Sequence, residues 1–367
     1  MKIAQFTTAF EAIAPPSIAW KGDNIGLLIG RPNQAISNIL VALDLTDEVI
    51  AEAVKKRVNL IVTHHPALFH PLKSITPSTQ TGAMALSLIE RNIAVYAAHT
   101  NLDSVKWGVN YSLAGSLGLR NIRILSPIEG SLSSVTVFVP GTHADAVADA
   151  MHAAGAGMFE KYDTCSFRSE GVGTFRGGKG ADPFIGTVGN VERVPEVRLE
   201  MLAEQWKLRG IVSAMLKAHP YEEVAYNITP LSNRNTEYGL GAIGELPKAI
   251  GRRSFLAMVK KQLRAKALRY TGPDRSIRRV AVCGGSGSEF IREALAQGAD
   301  AMVTADCKYH TFQEFEHSLL LVDAGHYETE VGVLPALAEA IGTIMSAAQH
   351  RGRIFITQSS TNPVHIF

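Results

Sequence analysis

The sequence predicts an α/β protein: a largely parallel sheet formed by both ends of the chain, interrupted by an inserted α+β domain. Three observations lead there. Short apolar, β-prone runs alternate with helical stretches near both chain ends, as in βαβ units. From about residue 128 the pattern shifts to alternating polar and apolar strands, and the βαβ alternation resumes near residue 240. Between these changes the order strand-helix-strand-strand-helix-strand suits a small ferredoxin-like fold. The expected domains are therefore 1–126 with 240–367, and 127–239.

At 367 residues the chain exceeds the usual single domain, and 46% hydrophobic with 19% charged residues is a globular composition. Lys plus Arg number 36 against 34 Asp plus Glu, so no global field recommends nucleic acid as a partner. Local basic clusters at Arg252-Arg253 and Lys260 to Arg269 read as solvated helix faces. Cys165, Cys283 and Cys307 lie far apart, which argues against a disulfide framework or a thiolate zinc site and fits a reducing cytoplasm. No uncharged apolar stretch is long enough to span a bilayer, and no export signal is expected.

In chain order, residues 1 to about 15 read as an amphipathic helix ending at Pro15-Pro16. Trp20 to Gly30 reads as a tight turn entering a strand; a phosphate-binding loop there would lack the P-loop lysine. Asn38 to Leu43 is a strand, and Thr46 caps the helix that follows, with Glu48 and Glu52 near its start. Leu60-Ile61-Val62 is an apolar strand core that stops at His64-His65-Pro66, because Pro66 disfavours helical geometry at His65. Gly82 to Asn92 is a helix, and Ile93 to Ala98 a strand running into His99-Thr100-Asn101-Leu102-Asp103.

In the insertion, Ser134 to Val139 is a strand and His143 to Ala154 a helix. The glycines between Gly171 and Gly180 suggest looser structure. Val197 to Leu202 is a one-sided strand, and a helix to Ala218 precedes His219-Pro220-Tyr221-Glu222-Glu223. Beyond it, Pro247 to Leu263 reads as a helix, Arg279 to Cys283 as a strand, and Gly284 to Ser288 as a glycine-rich turn before the helix Glu289 to Gln297. Ala301 to Thr304, Leu319 to Val322 and Ile354 to Thr357 are the remaining strands.

Carboxyl ends of parallel strands share one edge of a sheet, so the groups that end these strands can converge. A lone His-His pair carries little, since a structural cap beside an exposed neighbour explains it equally well. His326 and Glu330 add weight, because four-residue spacing at a helix start presents an imidazole and a carboxylate on one side. With His64, His65 and Asp103 they form a mixed nitrogen and oxygen set suited to Zn, Fe or Mn. Two ions roughly 3.5–4 Å apart need a bridge, and Glu330 is the candidate.

Five ordered stretches, Asp23 to Leu27, Thr63 to Pro66, His99 to Asp103, Lys308 to His310 and Gly325 to Glu330, together resemble the dinuclear-metal-centre protein family, often labelled GTP cyclohydrolase 1 type 2 homologues. The resemblance covers about 1–125 and 240–367. It implies metal ligands at His64, His65, Asp103, His326 and Glu330, two divalent ions per chain, and a toroidal homo-hexamer with the metal sites facing a cavity. It also implies a middle domain similar to small trimeric signalling and metal-tolerance folds, with the His219 to Glu223 stretch as its signature. Trp20 to Asn24 departs from the more compact approach of many relatives, outside the ligand set. His99 and His310 then become groups that orient a ligand or transfer protons.

Two function classes follow. One is a metal-dependent hydrolase acting on GTP, as the family label implies, or on another nucleotide or phosphoester. The other is a non-catalytic metal-binding regulatory or scaffold hexamer, whose metal positions would be closed rather than open.

Overall fold

The structure, a computed structural model, describes residues 1–367. It is a mixed α/β protein in two compact units, Met1–Pro127 with Glu237–Phe367, and Ile128–Thr236.

In the first unit a five-stranded sheet runs in the order Gly26–Ile29, Ala94–Ala97, Leu60–Thr63, Ile39–Ala42, Ile354–Ile356. Every residue of Ile39–Ala42, Leu60–Thr63 and Ala94–Ala97 is buried, which is what a parallel sheet covered on both faces requires of its strands. These three are parallel neighbours, Ile354–Ile356 pairs in parallel with Ile39–Ala42, and only the edge strand Gly26–Ile29 is antiparallel. Leu60 is level with both Ile39 and Ala94, so Thr63, Ala42 and Ala97 end on one line and the residues after them emerge at one edge.

The first helix, Ile3–Ile13, buries Ile3, Phe6 and Phe10, three positions of one helical face. Phe10 packs at ring-centroid distances of 5.3 Å from Tyr96 and 6.2 Å from Trp107. Phe10→Ala is expected to lower unfolding stability by about 3–5 kcal/mol, read as a shifted urea midpoint, because this fully buried ring leaves a cavity.

A second sheet in the same unit runs Arg269–Thr271, Leu320–Asp323, Ala301–Ala305, Ser276–Ser286, Asn235–Gly251, Arg120–Ile128. Its Ser276–Ser286, Ala301–Ala305 and Leu320–Asp323 strands are parallel neighbours, flanked by antiparallel partners. The two halves of the chain thus form two sheets in one unit rather than one resumed sheet. Pro247 lies in a strand, not in the expected helix, which begins only at Arg252. The strand tolerates it because the register against Ser276–Ser286 shifts between Glu245 and Ile250, where a ladder donor is not needed. Gly284 and Gly285, expected in a turn, are likewise part of a strand, with an irregularity between Val282 and Ser286. The helical run His326–Ala347 meets the length and composition of a membrane span at a mean hydropathy of 1.3, yet Leu337, Ile341 and Met345 are buried as in a core helix.

The second unit is a four-stranded antiparallel sheet in the order Phe167–Arg176, Val191–Glu204, Leu132–Pro140, Tyr226–Leu231. Helices Ala144–Ala153 and Leu208–Ala218 cover it, and Val135, Val137, Val147, Leu199, Ile211 and Met215 form its core. Gly171 and Gly173, expected in looser structure, are inside a paired strand. Gly173 leaves room that Glu196 occupies: a Cβ there would lie 2.2 Å from Glu196 Oε2, whereas a Cβ at Gly171 would meet nothing within 4 Å.

Candidate metal centre

The strand Leu60–Thr63 delivers the two histidines. In a continuing strand their side chains would diverge, but the chain leaves the sheet here and the two rings turn together, 4.9 Å apart. His64 is fully buried, and its Nδ1 donates to the Ala98 carbonyl at 2.8 Å. His65 Nδ1 donates to Asp44 Oδ1 at 2.6 Å. Both rings are thereby fixed with Nε2 facing inward.

The next strand end supplies Asp103, on the short helix Thr100–Asp103. From the second sheet, Leu320–Asp323 leads through Gly325, at φ 94°, into the helix His326–Glu330. Asp323 sets this turn by accepting the amides of Cys307 at 3.0 Å and Gly325 at 3.2 Å. His326 Nδ1 donates to Asp306 Oδ2 at 2.6 Å, so a carboxylate orients this ring as Asp44 orients His65.

Glu330, 4% exposed, is the hub. Its Oε1 lies 3.8 Å from His64 Nε2, while its Oε2 lies 3.0 Å from His65 Nε2 and 3.2 Å from His326 Nε2. Asp103 Oδ1 completes the His64 side at 3.6 Å. The two oxygens therefore face two donor groups. Buried His64 Nε2 and Asp103 Oδ1 have no hydrogen-bond partner of their own, a costly arrangement that a cation would relieve. His65 and His326 Nε2 are 3.3 Å apart, close to the spacing of two nitrogens each about 2.0–2.1 Å from one tetrahedral ion. Donor triplets within 4.8 Å of one another are His65, His326 and Glu330, and His64, His65 and His99. The donor set fits a divalent metal.

Charge in the centre is mutually held. Burial works against a charged His65, but Asp44 and Glu330 outweigh it and raise its pKa from 6.5 to about 10. Glu330, against burial, raises His326 to about 9, with help from Asp306. Burial would raise Glu330, yet the three imidazoles push it well below the usual carboxylate range. Burial lifts Asp103 to about 6, despite His64 beside it.

A metal must displace protons from these imidazoles, so affinity is expected to rise from pH 6.5 through 9. Zinc titrated calorimetrically at pH 7.5 into the metal-free protein should release protons, with heats that follow buffer ionisation enthalpy; heats independent of buffer would contradict this. In the metal-free fold the same raised values stabilise fully below pH 6.5, and that contribution is lost as pH rises through about 9 to 10.

All five expected ligands converge. His99 joins them, its ring 5.2 Å from that of His64. His310 does not: it is exposed on the helix Tyr309–Phe315, against Gln313 and Tyr309. Four supporting residues escaped sequence reasoning. Asp306 directly follows a parallel strand and Asp44 lies two residues past one, so the strand-end rule that found the histidines could have found them too. Asp23, in the stretch read as a structural turn, accepts from His99 Nδ1 at 2.9 Å and from the Thr100 amide at 3.1 Å. Burial opposes its charge, but His99 and Thr100 lower its pKa to about 2. Asn110 ties Asp103 to the second sheet, donating to the Asp103 carbonyl at 2.9 Å and accepting the Gly284 amide at 3.0 Å; nothing local marks it. Asp44→Ala is expected to weaken metal binding about 10–100-fold in a chelator competition assay, since it removes the acceptor that holds the His65 ring.

Comparison with known proteins places the chain in a family. A curated protein of Halalkalibacterium halodurans named GTP cyclohydrolase 1 type 2 homolog is 42% identical over 332 residues, 89% of each chain. One of the same name from Bacillus subtilis is 38% identical over 362 residues, covering 98% of this chain and 97% of its own. A crystal structure of a Bacillus cereus protein related to NIF3 superposes with a TM-score of 0.90 at 38% identity, over 100% of this chain and 99% of that one. The family model Duf34/NIF3 (NGG1p interacting factor 3) matches residues 1–363, and the chain belongs to that family.

Proposed function

We propose that this chain is a metal-dependent hydrolase whose centre holds two divalent ions, Zn, Fe or Mn, on His64, His65, Asp103, His326 and Glu330. The observation that carries the reading is the division of Glu330, one oxygen toward His64 and the other toward His65 and His326. Such ions supply an activated water near neutral pH and polarise the bond under attack. Glu330 joins the two groups of donors, while Asp44, Asp306 and the Ala98 carbonyl hold the imidazoles in the ligating tautomer. His99, anchored by Asp23, keeps Nε2 for proton transfer, a role that falls to it rather than to exposed His310.

The relatives' name points to GTP as substrate, with hydrolytic opening of the guanine imidazole ring and release of formate; another nucleotide or a phosphoester suits the same donor set. We read the two-part unit as the metal domain, residues 127–239 as a ferredoxin-like insertion, and the assembly as a cytoplasmic toroidal hexamer. The strand order and two covering helices of the second unit support the ferredoxin-like reading.

The test is metal analysis of the purified protein, then a screen of GTP and phosphoester hydrolysis with and without Zn, Mn or Fe. Close to two metals per chain with metal-dependent product release supports the hydrolase. Tightly held metal with no turnover favours the regulatory hexamer, a reading the second unit's separate core also suits.

A further inference from the structure

The second unit contains a cleft of about 1070 Å³ that the metal centre leaves unexplained. Its size suits a ligand larger than a metal ion. One wall is the strand Phe167–Arg176, another is the connection from Gly177 to Ile185, and the stretch Tyr221 to Ala225 lies opposite.

The connection from Gly177 to Asn190 is long for a link between antiparallel neighbours, and such loops are usually functional. It is also tied down. The Gly189 amide donates to the Gly177 carbonyl at 2.9 Å, and the Asp182 amide donates to Glu222 Oε1 across the cleft at 3.0 Å.

Three aromatic rings gather there. Tyr221 lies 6.1 Å from Phe175 and 6.4 Å from Phe184, and Phe184 is 53% exposed. Tyr221 is positioned from below by buried His219, which accepts the Tyr221 amide on Nδ1 at 3.1 Å and donates from Nε2 to the Phe138 carbonyl at 2.9 Å. The Tyr221 hydroxyl donates to Glu196 Oε1 at 2.8 Å, while Gly173 makes room for the other oxygen. The result is a fixed carboxylate beside aromatic faces. Arg176 and Lys179 line the cleft as well, and their side chains make no ion pair or hydrogen bond. Glu170, Glu222 and Glu223 share the lining with Arg198, which pairs with Glu200, so the ligand that fits carries N–H donors as well as negative charge.

We propose that this cleft binds a guanine nucleotide. The base stacks among Phe175, Phe184 and Tyr221, with its N1–H and exocyclic amine on Glu196, and the phosphates meet Arg176 and Lys179. Adenine presents a ring acceptor beside its amine and satisfies a carboxylate with one donor fewer. The site is separate from the metal centre and does not rest on its chemistry.

The experiment is calorimetric titration of the full-length, EDTA-treated protein with GDP, ADP, guanosine and inorganic phosphate. GDP should bind without added metal, at least about tenfold more tightly than ADP or guanosine. Phe184→Ala and Lys179→Ala, both at exposed loop positions, should each weaken GDP about tenfold. Glu196→Gln should abolish the preference over ADP. Four results would overturn the proposal: no GDP binding to the EDTA-treated protein, binding only when metal is restored, affinity untouched by Phe184→Ala and Lys179→Ala, or ADP bound as tightly as GDP.

Discussion

Glu330→Ala is expected to empty the metal centre while leaving the fold in place. Loss of a side chain that merely orients a ligand costs about 10–100-fold in metal affinity, and Glu330 faces three imidazoles itself, so its loss should cost more. Metal content measured after dialysis should fall from the level of the unsubstituted protein to background. The metal-free protein should also weaken. Removing one partner of a buried ion pair costs roughly 3–5 kcal/mol, and here Asp44 and Asp306 remain to hold His65 and His326, which offsets part of that. A urea midpoint in EDTA at pH 7 reads this second effect separately from the first. Full metal content in a folded Glu330→Ala protein would exclude these residues as the centre.

Gly285→Ala should also weaken metal binding, without removing a ligand. Gly285 sits at φ 59°, and a Cβ there would meet Glu330 Oε1 at 2.3 Å and the His326 ring at 3.1 Å. Its amide donates to Thr329 Oγ1 at 3.0 Å, so the backbone is not free to retreat. The carboxylate has to move instead, and metal affinity should fall more than about tenfold, as for loss of an orienting partner. The left-handed backbone adds roughly 1–2 kcal/mol of destabilisation. Gly118→Ala separates the two effects: Gly118 has φ 71° with nothing within 4 Å of a new Cβ, so it should show the backbone cost with unchanged metal content. Equal metal loss in both variants would mean that strain alone, and not displacement of Glu330, empties the site.

Residues 60–66 show why some of this was legible in the sequence. An apolar strand stopped by Pro66 must place His64 and His65 at a sheet edge, since both the burial and the break are local properties. The same holds for His326 and Glu330, whose four-residue spacing makes them neighbours on any helix. Pro247 marks the opposite case. Read locally it opens a helix, but pairing with Ser276–Ser286 keeps it extended through a register shift. Gly171 and Gly173 suggest looseness, yet both are paired in a strand, and Glu196 on the neighbouring strand fills the space over Gly173.

The sequence by itself therefore determined the α/β character and the strands that end in candidate ligands, and together with the family resemblance it named the five residues that the structure brings together. Only the tertiary structure decided that the donors come from two sheets, that Asp44, Asp306 and Asp23 orient the rings, and that His310 lies apart. The reason is separation along the chain. Asp23 and His99 are 76 residues apart, and His65 and His326 are 261 apart. Such pairs are fixed by how strands and sheets pack, which no local periodicity encodes.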